Sequence, residues 1–165
     1  MRSDGADPSE DVKQKALCGA ITVHHNHLSQ ESLSFPDWYG LATLFYESFA
    51  HCRDETSYWG RVLDKRKITE IRQNNHQALE MNATNLLFSI LTNNNTPNPS
   101  DIATFFRKEV FNRAMRIQAI VEYEYKWGTP SHTNPVTCDN TSVAGLGTRL
   151  NNFIDQAATE LARVI

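Results

Sequence analysis

The stretch SDIATFFRKEVFNRAMRIQAIVEYEYKW, residues 100–127, limits the folds open to this chain more than any other. Ile102, Phe106, Val110, Ala114, Ile117 and Val121 recur three or four apart, the spacing that lays side chains along one helix face. Phe105, Phe111, Met115 and Ile120 form a second row, which widens the stripe beyond what a two-helix seam needs. A helix this apolar has to be covered on two sides, by its own chain or by another copy. The spacing therefore predicts a long central helix with other helices packed around it.

The remaining segments read as its partners. Ser9 followed by Glu10 and Asp11 has the chemistry of a helix start, and a short helix over 9–20 buries Val12, Ala16 and Leu17 before Gly19 ends it. The segment ITVHHNHLSQES that follows reads as a loop or a short extended piece. Ser34-Phe35-Pro36-Asp37 is a second start signal, with Pro in the first turn where its missing N–H is harmless. The helix it opens, 36–50, places Trp38, Leu41, Phe45 and Phe49 on one side. From residue 55 to 92 a helical pattern runs through Tyr58, Trp59, Val62, Leu63, Ile68 and Ile71, weakens at residues 73–76, and resumes from Leu79 to Leu91. Loss of phase across the gap favours two helices meeting near residue 75. Pro97 and Pro99 punctuate a short loop that makes the flanking helices antiparallel neighbours. Beyond a linker over 128–140, Val143, Leu146, Leu150, Phe153, Ala157, Leu161 and Val164 give the last helix, 141–164, a narrow bundle-like seam. The expectation is all-α: a single-domain helical bundle of five to seven helices over residues 9–165, preceded by a flexible tail over 1–8.

Composition supports a folded, water-facing domain. Of 165 residues 40% are apolar and 21% charged, and seven glycines with six prolines are few for an all-β chain. No apolar run reaches the length of a membrane span, so no membrane partner is expected. Cys18, Cys52 and Cys138 are odd in number and widely spaced, which points to free thiols in a reducing compartment, cytoplasmic or inside a virion.

Chemistry-bearing motifs are sparse. Among His24, His25 and His27, His24 and His27 could chelate if the backbone turned, but no Cys, Asp or Glu stands at a matching spacing, so no metal and no cofactor is assigned. Arg61, Lys65, Arg66, Lys67 and Arg72, with Arg107, Lys108, Arg113 and Arg116, hold nine of the sixteen basic residues. If their two helices lie side by side, they form a patch for a phosphate backbone; otherwise they are solvated, salt-bridged faces. Glu122 and Glu124 diverge on a helix and make no acid–base pair, while Tyr123, Tyr125 and Trp127, together with Leu150, Phe153 and Leu161, suit a subunit interface. His51 and Cys52 are adjacent and diverge, and no nucleophile elbow or phosphate-binding glycine loop is present, so no catalytic residue is assigned.

Two resemblances are short. Trp59 followed by Ile68, Ile71, LLFSIL and DIATFF resembles the death-fold adaptors, with a shorter step from Trp59 to Ile68 than that fold has. TFFRKEV with the later Trp127-Gly-Thr-Pro is similar to the end of hepadnavirus-type capsid proteins, without their arginine-rich tail. Neither establishes membership. The functional expectation is a non-enzymatic assembly protein, a self-associating coat or nucleocapsid subunit forming a homo-oligomer or polymer and touching RNA through its basic helix face. The alternative is an intracellular, death-fold-like adaptor that binds another protein.

Overall fold

The structure is a computed structural model that describes residues 9–19, 21–28, 31–52, 55–74, 76–128 and 140–165. It overturns the all-α expectation: six helices accompany a four-stranded mixed sheet among the described residues. In chain order the elements are α1 (Glu10–Cys18), β1 (Thr22–Asn26), α2 (Phe35–Thr43), β2 (Glu47–His51), β3 (Ser57–Val62), α3 (Lys65–Gln73), α4 (His76–Asn93), α5 (Pro99–Ile117), β4 (Val121–Lys126) and α6 (Asn140–Ala162). The tail expected over residues 1–8 and most of the linker expected over 128–140 lie outside the described residues.

Each strand was hidden inside a segment that reads as something else. The segment 21–32, read as a loop or a short extended piece, contains β1, which pairs in parallel with β2 (Thr22 opposite Glu47, Asn26 opposite His51). β2 takes the second half of the expected 36–50 helix, because α2 stops at Thr43 with Leu44 as its cap. β3 takes the front of the expected 55–92 helix and runs antiparallel to β2, with Phe49 opposite Trp59. The remainder does split into two helices, α3 and α4, on either side of Asn74. The central helix is shorter than 100–127: Ala119 takes a left-handed conformation (φ 53°), and Ile120 N–H bonds back to the Met115 carbonyl at 3.0 Å. The chain then leaves as β4, antiparallel to β3. Beyond that turn the apolar period drops from helical to two: Val121 and Tyr123 are buried, while Glu122, Glu124 and Lys126 alternate outward.

The sheet order is β1-β2-β3-β4, with α2 as the crossover between the parallel pair β1 and β2. The helices cover one face. Ala50, Tyr58, Val121 and Tyr123 are buried there, and Trp38 of α2 reaches the bare backbone of Gly60, where an added Cβ would stand 2.3 Å from the indole. Behind this layer α4, α5 and α6 pack on one another through Leu87, Leu91, Val110, Ala114, Ile154, Ala158 and Leu161, all at or near zero exposure. The other face carries His24, Phe49, Trp59, Arg61 and Glu124. Among the described residues no helix is long and apolar enough to cross a membrane.

Candidate metal centre

Strand geometry brings His25 and His27 together. In β1 alternate residues share a face, so His24 points out while Val23 and His25 turn toward the helices. His27 stands just past the strand, yet its N–H still bonds the His51 carbonyl at 2.9 Å, which carries the alternation on and sets its ring beside that of His25. The third group comes from α2. Asp37 occupies the third helical position and closes a capping box, accepting from both the Ser34 N–H and the Ser34 hydroxyl at 2.7 Å through Oδ2. A carboxylate in this first turn is also favoured by the helix dipole.

The three side chains converge at the sheet edge, and each is part-buried, with 13–27% of its surface exposed. His25 Nε2 lies 2.8 Å from His27 Nε2. Asp37 Oδ1 is 3.5 Å from His25 Nε2, and Asp37 Oδ2 is 3.6 Å from His27 Nε2. The far nitrogens are occupied. His27 Nδ1–H donates to the Glu31 carbonyl at 2.7 Å, which leaves Nε2 as the lone-pair nitrogen of the neutral ring. Ser48 Oγ lies 3.3 Å from His25 Nδ1, where it can accept that proton and leave His25 in the same form. Two imidazole lone pairs at 2.8 Å beside a carboxylate repel unless a proton or a cation sits between them.

Titration behaviour follows the same contacts. Burial pulls the His25 pKa below the usual 6.5, helped by His27 and opposed by Asp37. At His27 burial acts in the same direction but is outweighed by the Asp37 carboxylate and the bond to the Glu31 carbonyl, so its pKa is raised. Burial alone would raise Asp37, yet the neighbouring His27 and the hydrogen bonds from Ser34 hold it at about 2. The carboxylate is thus ionised across the neutral range.

The geometry suits one divalent ion of the first transition row. Imidazole nitrogens and carboxylate oxygens bind Zn²⁺ at about 2.0–2.2 Å, so atoms spaced as these are can share one centre with little movement. Bond formation from Nδ1 to a carbonyl is the usual way a ligating histidine is oriented. Three protein ligands leave at least one coordination position for water or another molecule.

The residues expected to bind nucleic acid are dispersed. Arg61, on the outer face of β3, pairs with Glu122 at 2.7 Å and with the Tyr46 hydroxyl. On α3, Lys65 and Arg66 are exposed, Arg66 and Lys67 approach Glu70 at 3.6 and 3.7 Å, and Arg72 stacks over Tyr39 at 3.8 Å. On α5, Arg107 reaches Glu31 at 3.1 Å and Glu80 at 3.6 Å, Lys108 reaches Glu31 at 2.7 Å, and Arg116 donates to the Tyr123 carbonyl at 3.3 Å. Arg113 is wholly buried. α3 packs on α2 and, less extensively, on α4, whereas α5 packs on α4, α6 and β4.

The expected interface residues fill the core of a single chain: Tyr123, Leu150 and Leu161 are buried, and Tyr125, Trp127 and Phe153 pack partly buried against them. Sequence reasoning missed His25 and Asp37 and paired His24 with His27 instead. The available signal was His-x-His behind Ile21-Thr22-Val23, a pattern that converges only in a strand. No known family's sequence pattern matches this chain, and no curated protein or solved structure does.

Proposed function

We propose that the protein binds one divalent transition-metal ion through His25 Nε2, His27 Nε2 and an oxygen of Asp37. The observation that carries this reading is the approach of the two Nε2 atoms to 2.8 Å, with the opposite nitrogen of each ring already facing an oxygen. A bound ion would supply a Lewis-acidic centre at this edge. The protein's own part is to deliver two neutral imidazoles and one ionised carboxylate, already oriented, at a half-buried edge.

The test is direct. Protein stripped with a chelator and titrated with Co²⁺ should take up one equivalent and develop visible absorption, and Zn²⁺ should displace it. His27→Ala and Asp37→Asn should each remove the tight equivalent. If the stripped protein takes up no metal, or if both variants bind as the parent does, a shared proton is what joins the two imidazoles and the metal reading fails.

Self-assembly or an adaptor role is a second proposal. Its support in the structure is the exposed pair Met81 (66%) and Phe88 (43%), two turns apart on α4 and hence on one face. Light scattering separates the two: particles far above 18.8 kDa support assembly, and a concentration-independent mass at that value removes assembly and leaves the adaptor, whose test is binding of another protein.

A further inference from the structure

Building on the metal site just proposed, we infer that Glu31, held by Arg107 and Lys108, is a positioning residue that sets the tautomer and ring orientation of His27. The backbone carbonyl of Glu31 accepts the Nδ1 proton of His27 at 2.7 Å. Its carboxylate is gripped from α5 on both oxygens: Arg107 Nη1 lies 3.1 Å from Oε1 and Lys108 Nζ lies 2.7 Å from Oε2. Glu80 of α4 approaches Arg107 Nε at 3.6 Å and so restrains the arginine from its other side. The result is a line of contacts from α4 and α5, across one loop residue, to the nitrogen opposite the proposed ligand atom.

Physical necessity supports the assignment. Glu31 lies in the connection between β1 and α2, outside any helix or strand, where no helical or sheet ladder sets the direction of its carbonyl. Three part-buried charges with 18–27% of their side-chain surface exposed fix that direction more firmly than a surface ion pair would. A carbonyl held in place keeps the His27 proton on Nδ1 and its lone pair on Nε2. Outer contacts of this kind govern metal affinity about 10- to 100-fold.

The experiment compares Co²⁺ affinity and the His27 ring ¹⁵N shifts in the parent, Glu31→Ala, Glu31→Gln, and Lys108→Ala, alone and combined with Glu31→Ala. Glu31→Ala retains the carbonyl and loses the Arg107–Lys108 clamp, so the expected result is affinity weakened about 10- to 100-fold with the His27 shifts moved toward a mixture of tautomers. Lys108→Ala should weaken binding less, and combining it with Glu31→Ala should add almost nothing, since both act through one carboxylate. Glu31→Gln, which keeps the shape, serves if the alanine variant does not fold. A parent that binds Co²⁺ beside variants that bind within about threefold, with unmoved ring shifts, overturns the positioning role and leaves the metal site standing. A parent that binds no Co²⁺ overturns the metal site itself.

Discussion

Glu109 and Asp37 are both carboxylates drawn into the protein, but Glu109 takes a donor on each oxygen whereas both Ser34 donors to Asp37 fall on Oδ2. Glu109, 1% exposed, ends a one-way relay. Asn112 Nδ2 donates to Ser32 Oγ at 2.7 Å, Ser32 Oγ stands 2.6 Å from the Tyr123 hydroxyl, and that hydroxyl donates to Glu109. Arg113 closes it from the other side, with Nε 2.7 Å from Glu109 and Nη1 2.8 Å from Asp155, while its guanidinium lies 4.1 Å over Tyr125. Trp38 joins at the far end, donating to Asn112 Oδ1 at 2.7 Å. Burial and the Glu109 charge raise the Tyr123 pKa well above 10, so the phenol stays a donor. At the sheet edge Asp37 meets two donors from Ser34 but turns its remaining capacity toward two imidazole nitrogens. A cluster whose hydrogen bonds all find an end inside the chain is structural; one whose acceptors converge on each other asks for a cation.

The largest effect tests the closed cluster. Glu109→Ala leaves the Tyr123 hydroxyl without its acceptor and Arg113 with half its counter-charge, in a place that water does not reach. Breaking a buried pair in this way destabilises by about 3–5 kcal/mol. Urea unfolding of the metal-free protein should show a loss of that size, with Co²⁺ affinity of the folded form unchanged within a few-fold. A loss below about 1 kcal/mol would mean that the relay is not the closed unit its geometry describes.

The next effect belongs to the open cluster. Unfolding in free Zn²⁺ at 100 times Kd should raise parent stability by about 2.7 kcal/mol, and His27→Ala or Asp37→Asn should abolish the gain. Its pH dependence has a definite sign. Both histidines must be neutral to bind, and His27, with its raised pKa, takes its proton first, so the increment fades as pH falls from above 6.5. Without metal the two histidines oppose each other. Stability from His27 is present below 6.5 and is lost as pH rises through its raised pKa; stability from His25 is present above 6.5 and is lost as pH falls through its lowered one. Asp37 adds an acid limb, with its contribution lost as pH drops from near 4 through about 2. A Zn²⁺ increment that does not respond to pH would place the ion elsewhere.

How much of this was legible follows from the kind of signal each region carries. α1 with its Ser9 cap, the start of α2 at Ser34, the α3–α4 break and the existence of the helix α6 are local events, and the residues that cause them lie within a turn or two. Of the expected α6 seam, however, Val164 is exposed, and the Val143 and Leu146 side chains lie outside the described ones. The strands depend on pairing across distance. β1 is five residues whose partner begins 25 positions on, and β4 follows α5 after a turn at Ala119, a residue that gives no glycine-like warning. Alternation in Glu122-Tyr123-Glu124-Tyr125-Lys126 was visible, but its apolar start continued the helical stripe of α5 and was absorbed into it. The candidate site inherits that error: with β1 taken as a loop, His25 and His27 share no face, and Asp37 is only the first turn of a helix.

One substitution should strike both clusters at once. Trp38 follows Asp37 in α2 and donates to Asn112 in the relay, and its ring rests on Gly60. In Gly60→Ala the new Cβ would meet the indole at 2.3 and 2.7 Å and Leu33 at 2.9 Å, and the indole is tethered through its N–H. Overpacking of this kind destabilises by about 1–3 kcal/mol. Because α2 must shift to relieve it, Co²⁺ affinity should fall together with stability, unlike in Glu109→Ala. If stability falls and affinity holds, the strand side rather than α2 gives way, and the two clusters are mechanically separate.

The smallest effect is expected where neither kind of cluster exists. Arg66 on α3 is 86% exposed along its side chain, and its approach to Glu70 is 3.6 Å, too loose for a firm pair. Salt and solvent screen such contacts, so Arg66→Glu should shift unfolding by no more than about 0.5 kcal/mol and leave Co²⁺ affinity unchanged. The same variant bears on the basic face of α3, with Lys65, Lys67 and Arg72 left in place. Salt-sensitive RNA retention that disappears in Arg66→Glu would give α3 a partner of its own, separate from the metal edge. Retention that is absent in the parent leaves α3 as a solvated face, whose charges contribute to neither cluster.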